Sequence, residues 1–207
     1  MPERALPLRV VDGFTLPEAI RAALRPDEVV KDDDGREVRL PRYFYEVPSW
    51  ARAQEVLLAP HFGLWEFVNT DVREAEALRG WPRYVPCAVT LLAAHLEVLR
   101  DKVGAFLRVA ANGGYRSPAH ALDAGRVSPH HWGTAANIVR TGDAWMDDEK
   151  AIETVREAAR DVLPGVWTRP FGEAPGTTFD HLHLDLGYVV LVPPGADDAP
   201  TDTDGDA

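Results

Sequence analysis

The sequence predicts a single α+β domain, a small antiparallel sheet flanked by helices. Three observations lead there. The 207 residues are 45% hydrophobic, enough to fill one sizeable core and not two. Residues 86–103 and 147–163 carry helical apolar spacing and end in stop signals, Gly104 and Pro164-Gly165. Short β-favouring runs bounded by turn residues occupy other parts of the chain, and the run from His181 opens with strict alternation.

In chain order, Thr15 and Glu18 stand at the spacing of a capping box, which predicts a helix running to residue 24. Val29-Val30 and residues 38–47 read as strands joined at Asp32-Asp33-Asp34-Gly35, where Asp-Gly favours a hairpin. Pro48 and Ser49 open a short helix over 50–58, and residues 60–69 form a second short amphipathic piece. The longest helix, 86–103, sets Leu91, Leu92, His95, Leu96 and Leu99 on one face. Residues 105–111 read as a strand that runs into the turn Asn112-Gly113-Gly114, and the last strand covers 181–191. This order gives an N-terminal extension of helix plus hairpin (1–59), packed on a domain of residues 60–192. An acidic tail, 193–207, comes last and has the composition of a disordered segment.

Charge removes several function classes. The net charge of −11 gives no general attraction for nucleic acid or for anionic membranes. No window reaches the run of about 18 apolar residues that a membrane span requires. The N-terminus lacks a charged-then-apolar secretory pattern, so the expected location is cytoplasmic, with action outside the cytoplasm requiring another export route. The single cysteine, Cys87, has no internal disulfide partner and reads as a buried thiol. Nothing in the sequence bears on oligomeric state.

Three segments concentrate polar residues that do not read as surface decoration. They are Gly114-Tyr115-Arg116-Ser117, then residues 128–137 from Ser128 to Asn137, and then Asp180-His181-Leu182-His183-Leu184-Asp185. Four of the seven histidines lie in the last two, which suggests imidazole ligation of a metal or acid–base work. On a strand, residues two apart share a face, so His181 and His183 point one way while Leu182 and Leu184 point into the core. By the same rule His130 and His131 cannot serve one site from a regular strand. Asp180 can join the site only from the loop ahead of that strand, where an acid beside a metal-bound water is suited to act as a general base.

These segments resemble the zinc D,D-carboxypeptidases, the peptidase M15 family that trims peptidoglycan peptides. Ser128, His130, Gly133, Ala135 and position 137 fall on the family's Ser-x-His-x-x-Gly-x-Ala-x-Asp signature, and Asp180 with His183 on its second signature. Gly114-Tyr115-Arg116-Ser117 is similar to the segment that supplies a substrate-binding Arg, and residues 60–69 resemble a short segment that precedes the domain. The resemblance implies a D-Ala-D-Ala carboxypeptidase/hedgehog-like fold whose small sheet carries a Zn2+ site. It assigns His130, Asn137 and His183 to the metal and Asp180 to the general base. His181 would stabilise the tetrahedral intermediate, and Arg116 and Ser128 would bind substrate. The implied partner is a peptidoglycan-type stem peptide, cut next to a D-amino acid.

Asn137 departs from the pattern, because an amide oxygen brings no charge where the family has a carboxylate. A weaker working site, replacement by Asp185 or Asp143, and a catalytically impaired homologue that acts as a binding or structural protein are all open. Other polar residues have plainer explanations. His131 reads as a structural or rim residue, His120 as a helix-surface group, His95 as a core histidine and Glu66 as a cap or ion-pair residue, while Trp132 either lines the groove or fills the core.

Overall fold

The computed structural model describes residues 8–194. Most of the expected acidic tail, from residue 195 on, and residues 1–7 lie outside the described residues. The described chain is a mixed α+β structure of six α-helices and several small antiparallel sheets.

β1 (Arg9–Asp12) leads through a 3-10 turn into α1 (Glu18–Leu24). The helix is where the spacing predicts it, but the Thr15–Glu18 capping box does not form. Pro17 takes the cap position, and the Thr15 hydroxyl donates to the Asp12 carbonyl instead. The nearer 3-10 turn captures that hydroxyl, because Asp12 already organises the turn by accepting from the Phe14 N–H.

β2 (Val29–Lys31) and β3 (Glu37–Arg39) form the expected hairpin. The buried Asp32 carboxylate accepts from the Asp34 and Arg36 amides and from Arg36 Nε, which fixes the turn. The expected strand over 38–47 is broken at Pro41, which has no N–H for a ladder. Beyond the break lies a separate strand, β4 (Tyr43–Val47), paired with β1.

Ser49 caps α2 (Trp50–Glu55), accepting from the Arg52 amide. The helix stops short of the expected residue 58, and the apolar residues beyond it become β5 (Leu57–Ala59), paired with β6 (Phe62–Gly63). α3 (Leu64–Phe67) is capped by Glu66, whose carboxylate accepts from the Gly63 amide at 2.9 Å. After α4 (Glu76–Arg79), β7 (Arg83–Pro86) pairs with β4 to complete the sheet β1-β4-β7.

α5 (Val89–Val103) is the long helix, ended by Gly104 in the left-handed conformation. Leu92, Leu96 and Leu99 are fully buried on its inner face. His95 is not a core histidine: it sits half-buried at the edge of that face, with Nδ1 2.8 Å from the Leu91 carbonyl. Just ahead of α5, Cys87 is buried, and burial pushes its thiol up to about 12.

β8 (Leu107–Val109), β9 (Ala135–Thr141), β10 (Ala144–Trp145), β11 (Trp167–Thr168) and β12 (Leu182–Asp185) form the second sheet. α6 (Glu149–Val162) lies between β10 and β11, with Asp148 at its cap. β9 is central, with β8 on one side and β12 on the other. β12 is much shorter than the expected run to residue 191. Gly187, at φ 75°, turns the chain, and its amide donates to Asp185 Oδ1.

Alternation on β9 and β12 divides the sheet into two faces. Ala136, Ile138, Leu182 and Leu184 are fully buried in the core, which includes residues of α5 and α6. Each leucine contributes on the order of 2 kcal/mol of burial. Asn137, His183 and Asp185 occupy the opposite face, and His183 pairs in register with Asn137. The same hydrophobic core also takes in Val11, Phe44 and Val47 from the first 59 residues.

Candidate functional site

Three loops and two strands bring the polar segments to one wall. Gly114 begins it. A Cβ there would lie 2.6 Å from Phe67 Cα and 2.7 Å from the Phe67 carbonyl, so only glycine lets the backbones approach this closely. The approach aims the Gly114 carbonyl at His130 Nδ1, 2.7 Å away. A carbonyl only accepts, so Nδ1 carries the proton and Nε2 keeps its lone pair. His130 is buried, and burial holds its pKa well below the usual histidine range, so the ring is neutral.

His130 and His131 lie in a 3-10 turn, Pro129–Trp132, rather than a strand, yet they diverge as the alternation argument requires. Gly133, at φ 67°, ends this turn and starts the chain toward β9. His131 nitrogens lie 3.2 and 3.3 Å from the Arg116 and Arg126 carbonyls, which makes it a structural residue. Trp132 fills the core: it is fully buried, and its Nε1 donates to the Arg39 carbonyl at 2.9 Å.

His183 reaches the same wall from β12, with its ring centroid 5.2 Å from that of His130. Its Nε2 is 3.1 Å from Asp185 Oδ2 and its Nδ1 is 2.9 Å from Asn137 Oδ1. Burial lowers its pKa, partly opposed by the hydrogen bond to Asp185, and the nearby Arg169 charge lowers it further. A carboxylate only accepts, so Nε2 carries the proton. In a neutral ring Nδ1 is then an acceptor, satisfied when Asn137 presents its NH2 group. With Nδ1 bound to a cation, a half-turn of the amide presents its oxygen instead.

The rest of the predicted set lines the same cleft, a volume of about 1170 Å3 that includes Arg116, Ser128, His130, Asn137, Asp180, His181 and His183. Asp180 is largely exposed, and its Oδ1 accepts from His181 Nδ1 at 2.6 Å. That bond leaves His181 Nε2 as an acceptor, while burial lowers the ring's pKa against the raising effect of Asp180. Arg116 is not a free cation. Its Nε and Nη2 donate to the two oxygens of Asp123 at 2.5 and 3.0 Å, and Nη1 donates to the Asn112 carbonyl.

Two expectations fail here. His120 is not a helix-surface group but fully buried, with Nε2 3.1 Å from Asn112 Oδ1 and Nδ1 accepting from the Leu122 amide. Asp143 does not approach the site; it is exposed at the β9–β10 turn and pairs with Arg140. The sequence reading also missed Asp123, Arg169 and Trp167, all of which line the cleft. Asp123 had a local signal, an acid one short turn beyond Arg116. Arg169 and Trp167 had none, because only the pairing of β11 with β12 brings them to His183.

No family model, curated protein or solved structure matches the chain. The site's own donor chemistry therefore decides what it can hold. Among the described residues no group of three or more His, Cys, Asp or Glu is placed to bind a metal ion. The third donor beside His130 and His183 is the amide of Asn137, which lies outside those residue types. Two neutral imidazoles, each oriented by a partner on its far nitrogen, plus one amide oxygen fit a divalent cation such as zinc. Without a carboxylate the hold is weaker.

Proposed function

We propose that the chain is a zinc-dependent peptidase of the D,D-carboxypeptidase type, acting on a peptide bond next to a D-amino acid in a peptidoglycan-type stem peptide. One observation carries this reading: the His130 and His183 rings stand with centroids 5.2 Å apart at the cleft, each with one nitrogen held by a fixed acceptor, Gly114 O for one and Asp185 for the other. A partner on the far ring nitrogen is what a metal-ligating histidine usually has. His130, His183 and Asn137 would hold the ion, which when bound supplies a water acidic enough to ionise near neutral pH. Asp180 and His181 stand at the cleft as the groups that take up and return a proton, and Ser128 lines the wall beside His130.

A second reading, a peptide-binding cleft without a metal, is favoured by the chain Asn137–His183–Asp185, which satisfies both ring nitrogens by itself. Metal content of the purified protein, measured beside the His130→Ala variant, separates the two. About one zinc per chain, lost in the variant, together with cleavage of a D-Ala-ended peptide that Asp180→Asn abolishes, supports the peptidase. No metal after zinc is supplied sinks it in favour of the binding cleft.

A further inference from the structure

Among the described residues Arg169 is the half-buried cation of the cleft without an ion pair; Arg126, which also lines the cleft without one, is exposed. Arg169 directly follows β11, and its backbone N–H donates to the His183 carbonyl at 3.0 Å, which pins it beside the site. Among the described residues its Nε is buried without a hydrogen-bond partner and its guanidinium makes no ion pair. The guanidinium carbon lies 5.9 Å from the centre of the Trp167 ring, and that ring is half exposed and set edge-on to His183. The nearby acids are engaged elsewhere: Asp123 with Arg116, and Asp185 with His183 and the Gly187 amide.

A planar guanidinium left unsatisfied at the wall of a solvent-accessible cleft matches a ligand group with two acceptor oxygens. Arg116 lacks that freedom, because three of its N–H groups are held by Asp123 and Asn112. We propose that Arg169, with Trp167 as its shelf, is the subsite that takes a carboxylate of the bound peptide, while Arg116 is a positioning residue that shapes the cleft with Asp123. The inference rests on the peptide-cleft reading above. The carboxylate is either the peptide's C-terminus or an acidic side chain, and the two sources share this chemistry.

The test is calorimetric titration of the full chain with three probes: N-acetyl-D-alanyl-D-alanine, its C-terminal amide, and N-acetyl-D-glutamyl-D-alanine amide. At least one acid probe binds the parent protein, and Arg169→Gln weakens it about tenfold or more, the size of a charge-assisted hydrogen bond. The neutral amide is indifferent to the same change, and Arg169→Lys, which keeps the charge, loses less than the Gln variant. Preference for the first acid probe assigns the subsite to the C-terminus; preference for the third assigns it to a side chain. Equal binding of acids and amide, no acid binding at millimolar concentration, or acid binding unchanged in Arg169→Gln overturns the proposal. Failure of the two readings is distinguishable. Arg169-dependent acid binding in a protein that holds no metal keeps the subsite and discards the peptidase. Hydrolysis indifferent to Arg169→Gln does the reverse.

Discussion

Asp123→Ala tests the largest electrostatic commitment near the cleft. The pair it breaks is buried on both sides, with 9% and 11% of the two side chains exposed, and it is bidentate at 2.5 and 3.0 Å. Burial holds the Arg116 pKa below the usual guanidinium range even beside this partner, so desolvation is the dominant influence on it. Removing the acid leaves a buried cation with only the Asn112 carbonyl, and such losses cost about 3–5 kcal/mol. For a chain of this length that lowers the melting temperature by roughly 6–20 °C. The matched control is Asp161→Ala, whose partner Lys102 and own carboxylate are well exposed, and which costs less than about 1 kcal/mol. The double variant Arg116→Met with Asp123→Leu recovers most of the loss, because the desolvation of both charges disappears together. Urea unfolding of the four proteins, read at constant m-value, is the assay. If Asp123→Ala costs no more than the surface control, or the double variant is as unstable as Asp123→Ala, the pair is not held as described.

Gly114→Ala forces a Cβ into the Phe67 backbone and displaces the carbonyl that orients His130, so it costs about 1–3 kcal/mol and, on the peptidase reading, reduces zinc uptake. A variant with parental stability and zinc content would contradict this. Asp185→Asn leaves the fold in place but removes the anion behind His183, and on the peptidase reading zinc affinity drops about 10–100-fold in a chelator competition. Acidification destabilises the metal-free protein. The His120 and His131 pKa values are lowered by burial, so the unfolded chain binds protons first, and stability present above about pH 6.5 falls as the pH drops through the lowered values. Melting temperatures recorded between pH 7.5 and 5.5 should decline; a flat profile would argue against buried neutral rings.

The site was more legible than the scaffold. Period-two alternation placed Leu182 and Leu184 in the core and His183 on the other face, and the register with β9 adds Asn137 directly opposite it. A polar side chain two residues from another on a strand leaves a local signature. The turn that separates His130 from His131 also leaves one, in Pro129 and Gly133. Long-range competition leaves none. The Thr15 hydroxyl went to a nearer carbonyl, and His120 was drawn inward by Asn112, a residue the sequence reading assigned only to a turn. Arg169 came to the site through the β11–β12 pairing, which the primary structure does not announce. The helix ends shifted for the same reason: residues 57–58 and residue 86 were taken by strand partners that propensity does not see.

The Trp132 indole hydrogen-bonded to Arg39 has a practical bearing on gene dissection. A fragment beginning at residue 60 would strip that indole N–H of its acceptor and would take away two of the three strands in the β1-β4-β7 sheet. The histidine-bearing segments are therefore not a cassette to be cut out and fused elsewhere. Any expression library of shortened chains should find its soluble members only among those that keep the first sheet whole.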